Sequence, residues 1–322
     1  RFYSRSPKSD TVTTLPGPCE GPRMTTAARI PLPPDVLSYI REVFATANER
    51  VTSRLDRMPT THEETLDFAF IDALVEARGP HLTMSGTVVD IDAHFVGGGW
   101  HWQRWEIADL GLIINFRQRG NLLRTKVVLL QSKRLYPREA EFTEDLGLAR
   151  PGGFGSLMAK SLPATVGPRV FRFDDSCRYR ALQVGDDQWQ SIAKYETTFG
   201  LPIHYMLYHP RAMPSQSSIP VQLPFNPPTI PLVTGSRVMS ASAIRASTSH
   251  FSRNYAPAFG ELRGGSAAPG APIQDFIVDE VLACHEGYVV DDGAENEGLV
   301  RVFSQRGAPI AAAVRIDIDL PG

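Results

Sequence analysis

Cysteine is scarce in this chain: Cys19, Cys177 and Cys284 are all that its 322 residues contain. Three scattered thiols cannot make a disulfide framework or a Cys-rich zinc centre, and such usage points to a reducing, cytoplasmic setting. Long hydrophobic runs are also missing. No stretch approaches the ~20 consecutive apolar residues that cross a bilayer, so a soluble protein with no membrane partner is expected. The N-terminal RFYSRSPKSD carries basic residues with no apolar core behind them, unlike a secretory signal. Nor is there an excess of one charge. The 33 Lys and Arg stand against 35 Asp and Glu, for a formal charge of −2, which excludes a protein that coats nucleic acid by bulk electrostatics. Any anionic partner must be held by a local patch. Among nucleotide and metal signatures, Gly152-Gly153-x-Gly155 lacks the lysine and hydroxyl residue of a phosphate loop, and the spacing of His94 and His101 matches no zinc site.

What is present is enough apolar material, 42% of residues, for a sizeable core. Residues 1–34 are rich in Pro, Ser, Thr and Gly and read as an N-terminal arm. From Asp35, a plausible N-cap, Val36, Leu37, Ile40, Val43, Phe44, Ala47 and Val51 recur at helical spacing until Pro59. Thr60 or Thr61 can cap a second helix, EETLDFAFIDALVEARG, which Gly79-Pro80 ends. Strand-like runs follow at 87–96, 105–116 and 122–130, and the turn signal Gly120-Asn121 predicts that the last two pair as an antiparallel hairpin. The segment 139–170 reads as loop. A helix over 187–198 then leads into the apolar strand PIHYMLYHP. Seven prolines between Pro210 and Pro231, and a linker-like GGSAAPGAP at 264–272, mark 211–322 as an irregular C-terminal extension or accessory region. Within it, 273–290 is expected to pair with VRIDIDL at 314–320. The fold expected over 35–210 is α/β, a mixed central sheet flanked by helices.

The informative chemistry lies between residues 60 and 138. Asp109 immediately precedes the apolar LGLII, and Gln131-Ser132-Lys133 immediately follows VVLL. In the expected hairpin the start of one strand lies beside the end of the next, so both polar groups reach one sheet edge. Alternation puts Gln131 and Lys133 on one face and Ser132 on the other. Glu63 and Glu64 open the preceding helix and both point near its buried side; Glu64 is preferred. Glu106 would face away from Asp109. Carboxylate and amide oxygens are hard ligands for Mg²⁺, which takes further ligands from water and substrate phosphate. A lysine beside them can orient a water or offset developing charge, a set suited to phosphodiester hydrolysis. From Leu110 to Arg138 there are seven basic residues and no acidic ones: Arg117, Arg119, Arg124, Lys126, Lys133, Arg134 and Arg138. That is the local footprint expected for phosphate contacts. Arg237, Arg245 and Arg253 suggest a second stripe. Trp100, Trp102 and Trp105 are read as core rather than as base-stacking residues.

The order helix-Glu, strand-Asp, strand-Gln-x-Lys, with the string QSKRLY, resembles the PD-(D/E)XK nuclease superfamily in its Mrr-like variant, where Gln replaces the acidic residue of the last motif. The usual Pro-Asp pair is absent, since Ala108 precedes Asp109. The resemblance covers roughly 60–138 well and 187–210 more weakly. It implies a restriction-endonuclease-like core over 35–210, with Asp109, Gln131 and Glu64 holding Mg²⁺ (Mn²⁺ as an alternative ion) and Lys133 as the catalytic lysine. Arg117, Arg119, Arg124, Lys126, Arg134 and Arg138 would contact nucleic acid. The implied activity is metal-dependent cleavage of DNA in bacterial restriction or anti-phage defence, with a homo-oligomer or an activating partner as its associates. Two competing readings are a catalytically inactive nucleic-acid-binding or assembly subunit that keeps the fold, and an RNA-directed nuclease.

Overall fold

The computed structural model describes residues 30–95, 108–141, 169–219, 234–290 and 310–322. The first helix, α1 (Pro34–Arg57), starts with a proline, whose fixed φ and missing N–H suit that position. Its N-cap is Pro33, so Asp35 sits in the first turn instead of capping it. Val36, Ile40, Val43, Phe44, Ala47, Val51 and Leu55 form the buried stripe. In α2 (Glu63–Glu76) the N-cap is His62, not Thr60 or Thr61, and the two glutamates occupy the first turn, where the helix dipole favours them. The strands β1 (Gly79–Leu82), β2 (Val88–Phe95), β3 (Ala108–Gln118), β4 (Asn121–Arg134), β5 (Arg138–Glu141) and β6 (Arg169–Phe173) follow.

Next come α3 (Asp187–Phe199), β7 (Ile203–Tyr208) and β8 (Ser215–Ile219). The side chain of Asp186 caps α3 through the Trp189 amide at 2.7 Å, and Gly200 ends the helix in the left-handed conformation at φ 66°. The chain continues through β9 (Arg237–Ser240), α4 (Ala241–Ser247), α5 (Phe259–Arg263) and β10 (Ala271–Pro272). A helical segment over 273–282, π-wound from Phe276, precedes β11 (Tyr288–Val290) and β12 (Ile310–Leu320).

The main sheet runs β1-β2-β12-β3-β4-β7-β9-β10, with β11 on β4, and is mixed: β12 is parallel to β3 and antiparallel to β2, and β7 is parallel to β4. A smaller sheet is β5-β6-β8. Mixed α/β architecture with a helix-flanked sheet is therefore observed. The β3–β4 hairpin forms as expected, although its turn is Arg119-Gly120 rather than Gly120-Asn121. Both turn residues have positive φ (51° and 78°), as a tight two-residue hairpin loop requires.

The region past 211 is not an irregular extension of the sheet. Its residues supply β9 to β12, and β12 lies between β2 and β3. Val314, Ile316 and Ile318 are fully buried beside Leu110, Leu112, Ile114 and Phe116. The expected pairing of 273–290 with 314–320 does not occur, since β11 joins β4 instead. The stretch read as a linker contains the buried Ala268 and the strand β10. The stretch read as loop over 139–170 begins and ends in the strands β5 and β6. The central strands β4 and β7 are buried on both faces; α2 packs on β2 and β4, and α1 packs on α2 and on 273–282. No helix among the described residues is long and apolar enough to cross a membrane.

Candidate active site

The register of the hairpin decides what faces what. Leu110 pairs with Leu130, so Asp109 falls opposite Gln131 at the end of the strands nearest α2. The Gln131 side-chain amide donates to Asp109 Oδ2, and the Ser132 backbone N–H donates to the same oxygen at 2.6 Å. Alternation along β4 then sends the Ser132 side chain to the opposite face. There Ser132 Oγ donates to Asp67 Oδ1 at 2.6 Å, and the Tyr208 hydroxyl on β7 donates to that oxygen at 2.5 Å. Ser132 thus ties two carboxyl groups together through the thickness of the sheet.

Of the two glutamates at the start of α2, Glu63 makes the contacts. Its Oε1 accepts the Arg134 backbone N–H at 3.0 Å, and its Oε2 lies 3.9 Å from Lys133 Nζ. Glu64, the residue preferred from sequence, is exposed and acts on Asp109 through its charge. Gln131 and Lys133 are both buried. Burial pushes the Asp109 carboxyl up to about 6, against the pull of the Lys133 ammonium and the Ser132 amide, with the charges of Glu63 and Glu64 adding to the rise. Asp67 is pushed further, well above the usual carboxylate range, first by burial and then by the charge of Asp109. Sequence reasoning missed Asp67 and Tyr208. Asp67 was legible as a carboxylate on the apolar side of α2, next to the buried Leu66.

Four predicted residues therefore share one region: Asp109, Gln131, Lys133 and, by its charge, Glu64. The donors suit a sparsely ligated ion. Gln131 Oε1 is buried without a partner, and Asp109 Oδ1 has no hydrogen-bond donor among the described residues. No three His, Cys, Asp or Glu side chains among the described residues are grouped to hold a metal. An ion held by these two hard oxygens would be one, such as Mg²⁺, that keeps most of its shell as water and phosphate; the donors do not make a closed all-protein centre.

The predicted basic face is not one surface. Lys126 is 1% exposed and donates to the carbonyls of Val281 and Glu286 at 2.6 Å each. Arg134 is equally buried, donates to the Pro59 carbonyl at 2.7 Å and lies over the Tyr136 ring. Arg138 pairs with Asp174, and Arg117 lies 3.3 Å from Asp317 on β12. Arg117, Arg119 and Arg124 sit at the hairpin tip, roughly 25 Å from Asp109 at about 3.3 Å per residue. In the second stripe Arg237 donates to the carbonyls of Pro269 and Gly270 and Arg245 pairs with Glu196, while Arg253 stays exposed 3.8 Å from Asp187. His94 bonds Asp92 at 2.7 Å. Trp100, Trp102, Trp105, His101 and Glu106 lie outside the described residues.

Comparison with family models, with curated proteins and with solved structures finds no match.

Proposed function

We propose that the protein is a Mg²⁺-dependent endonuclease that hydrolyses DNA phosphodiester bonds, with Mn²⁺ as an alternative ion. The observation that carries this reading is the pairing of Asp109 with Gln131 across adjacent strands, with Lys133 one alternation further and Glu63 beside it. Asp109 and Gln131 Oε1 would hold the ion, with Glu64 contributing charge. When bound, the ion supplies Lewis acidity at the phosphate. Asp109 must be ionised to bind it, and Lys133 and the Ser132 amide favour that ionised form. Lys133, kept within 3.9 Å of Glu63, places a positive charge where negative charge develops on the phosphate and can orient the attacking water. A bacterial restriction or anti-phage role, acting as a homo-oligomer or with an activating partner, follows from the family resemblance alone.

A second reading is favoured by one observation. Lys133 and Gln131 are buried with their polar groups turned to Glu63 and Asp109, as in a nuclease fold retained for binding or assembly. Plasmid DNA and structured RNA, each incubated in Mg²⁺ and in EDTA, separate these readings. Metal-dependent DNA cleavage that disappears in Lys133→Ala, with binding retained, is expected. Persistent cutting by that variant refutes the site. Loss of RNA alone refutes the DNA assignment, and binding without cleavage supports the assembly reading.

A further inference from the structure

The hairpin tip is remote from Asp109, so a nuclease at this site needs its phosphate contacts elsewhere. The chain leaving β4 supplies a cationic surface next to the site. Leu135 and Tyr136 continue the strand direction, their amides bonding the carbonyls of Tyr208 at 2.9 Å and Arg178 at 3.0 Å. The Arg134 guanidinium lies 4.1 Å from the centre of the Tyr136 ring and that of Arg180 lies 5.5 Å from it. Arg178 lies 4.7 Å from the Tyr255 ring. Tyr136 is half-buried, whereas Arg178 and Arg180 are exposed.

The uncompensated charge here is that of Arg180, which has no carboxylate within ion-pair distance among the described residues, whereas Arg178 donates to the Ala256 carbonyl at 2.6 Å and lies 4.0 Å from Glu261. Beneath the tyrosine, Arg134 is buried with Nε and Nη1 unpartnered, so its charge is screened little by water. Continuity with the active site runs through Glu63, which accepts the Arg134 amide and lies against Lys133; burial raises the Tyr136 phenol and the Glu63 charge adds to the rise.

We propose that Tyr136 and the Arg178–Arg180 segment, not the β3–β4 hairpin tip, form the phosphate-binding surface for duplex DNA. The inference rests on the nuclease reading. Exposed guanidinium groups on tyrosine rings present fixed donors to a phosphate backbone without reading sequence. Arg134 contributes potential from below rather than direct contact.

The test measures duplex DNA affinity against salt concentration for the wild type, Arg180→Glu and Arg119→Ala, with folding checked by circular dichroism. Each lost phosphate contact lowers the slope of log K against log salt by about 0.9. Arg180→Glu should weaken binding and flatten the slope by about that amount or more, while Arg119→Ala behaves as wild type. Wild-type affinity and slope in Arg180→Glu, or the full effect in Arg119→Ala, overturn the surface and leave the nuclease reading standing. A wild type that neither binds nor cuts DNA overturns both. An Arg180-dependent affinity for RNA with none for duplex DNA overturns the DNA assignment.

Discussion

Asp67 offers the sharpest test of how the site is built. Its Oδ1 accepts both Ser132 Oγ at 2.6 Å and the Tyr208 hydroxyl at 2.5 Å, and among the described residues no charged donor bonds it. Burial and the neighbouring Asp109 and Glu63 charges hold it protonated over a range where an exposed aspartate has ionised. Asparagine reproduces the accepting oxygen and the neutral state, so Asp67→Asn should shift stability by no more than about 1 kcal/mol near pH 5. Alanine leaves two buried hydroxyls without an acceptor at about 1–3 kcal/mol each, so Asp67→Ala should lose about 2–6 kcal/mol. The pH dependence carries the sign. A carboxyl raised in the folded state binds its proton more tightly there than in the unfolded chain. The native state is favoured most at low pH and loses about 1.4 kcal/mol per pH unit above the unfolded value. Asp67→Asn lacks this loss and should gain on the wild type as pH rises from 4. Urea denaturation followed by circular dichroism from pH 4 to 8 reads both effects. If Asp67→Asn is as damaged as Asp67→Ala, with a gap to wild type that does not change with pH, Asp67 is ionised and the reasoning fails.

Asp109, raised from 3.8 to about 6, contributes a similar but narrower loss of about 3 kcal/mol between those pH values. Asp109→Asn should remove it, as the same denaturation series would show. Millimolar Mg²⁺ should raise the wild-type midpoint more at pH 7 than at pH 5, because only the carboxylate binds the ion. Equal shifts at both pH values would argue against Asp109 as the ligand. Deleting residues 310–322 should abolish folding. Val314, Ile316 and Ile318 alone contribute about 5–9 kcal/mol of burial, comparable to the whole stability of a typical domain. A soluble truncated protein with native circular dichroism would contradict the place given to β12.

How legible each element was depends on the range over which its determinants act. The stripe of α1, the capped α3 and the β3–β4 hairpin depend on neighbours within a few residues, and their patterns predicted them. The place of β12 does not. VRIDIDL alternates like any half-buried strand, and nothing local says that its apolar face enters the sheet between β2 and β3. Seven prolines and a glycine-rich stretch before it read as the end of a domain, although they connect strands of the same sheet. At the site, the arrival of Asp109 and Gln131-Ser132-Lys133 at one sheet edge followed from the hairpin, but the register did not: a turn at Gly120-Asn121 sets Asp109 opposite Ser132, and the turn at Arg119-Gly120 with the irregularity at Phe116/Arg117 brings it opposite Gln131. Glu63 rather than Glu64 touching β4 did not follow either, because adjacent positions at a helix start differ in direction by about 100° and the helix had no fixed rotation until α2 was packed.

The charge count failed for a different reason. Seven basic residues without an acid in one stretch look like a polarised surface, but sequence distance does not order charges in space. The hairpin carries Arg117 to β12, where Asp317 lies on the neighbouring strand. Alternation along β4 turns Lys126 inward, under the carbonyls of Val281 and Glu286. Arg134 is covered by Tyr136. Meanwhile Arg178 and Arg180, more than forty positions beyond Lys133 in the numbering, are brought to Tyr136 by a single backbone bridge. A near-neutral chain can concentrate positive charge at one place when segments distant in sequence bring it together. The fold, rather than the run of basic residues, selects the cations that remain exposed beside the candidate site.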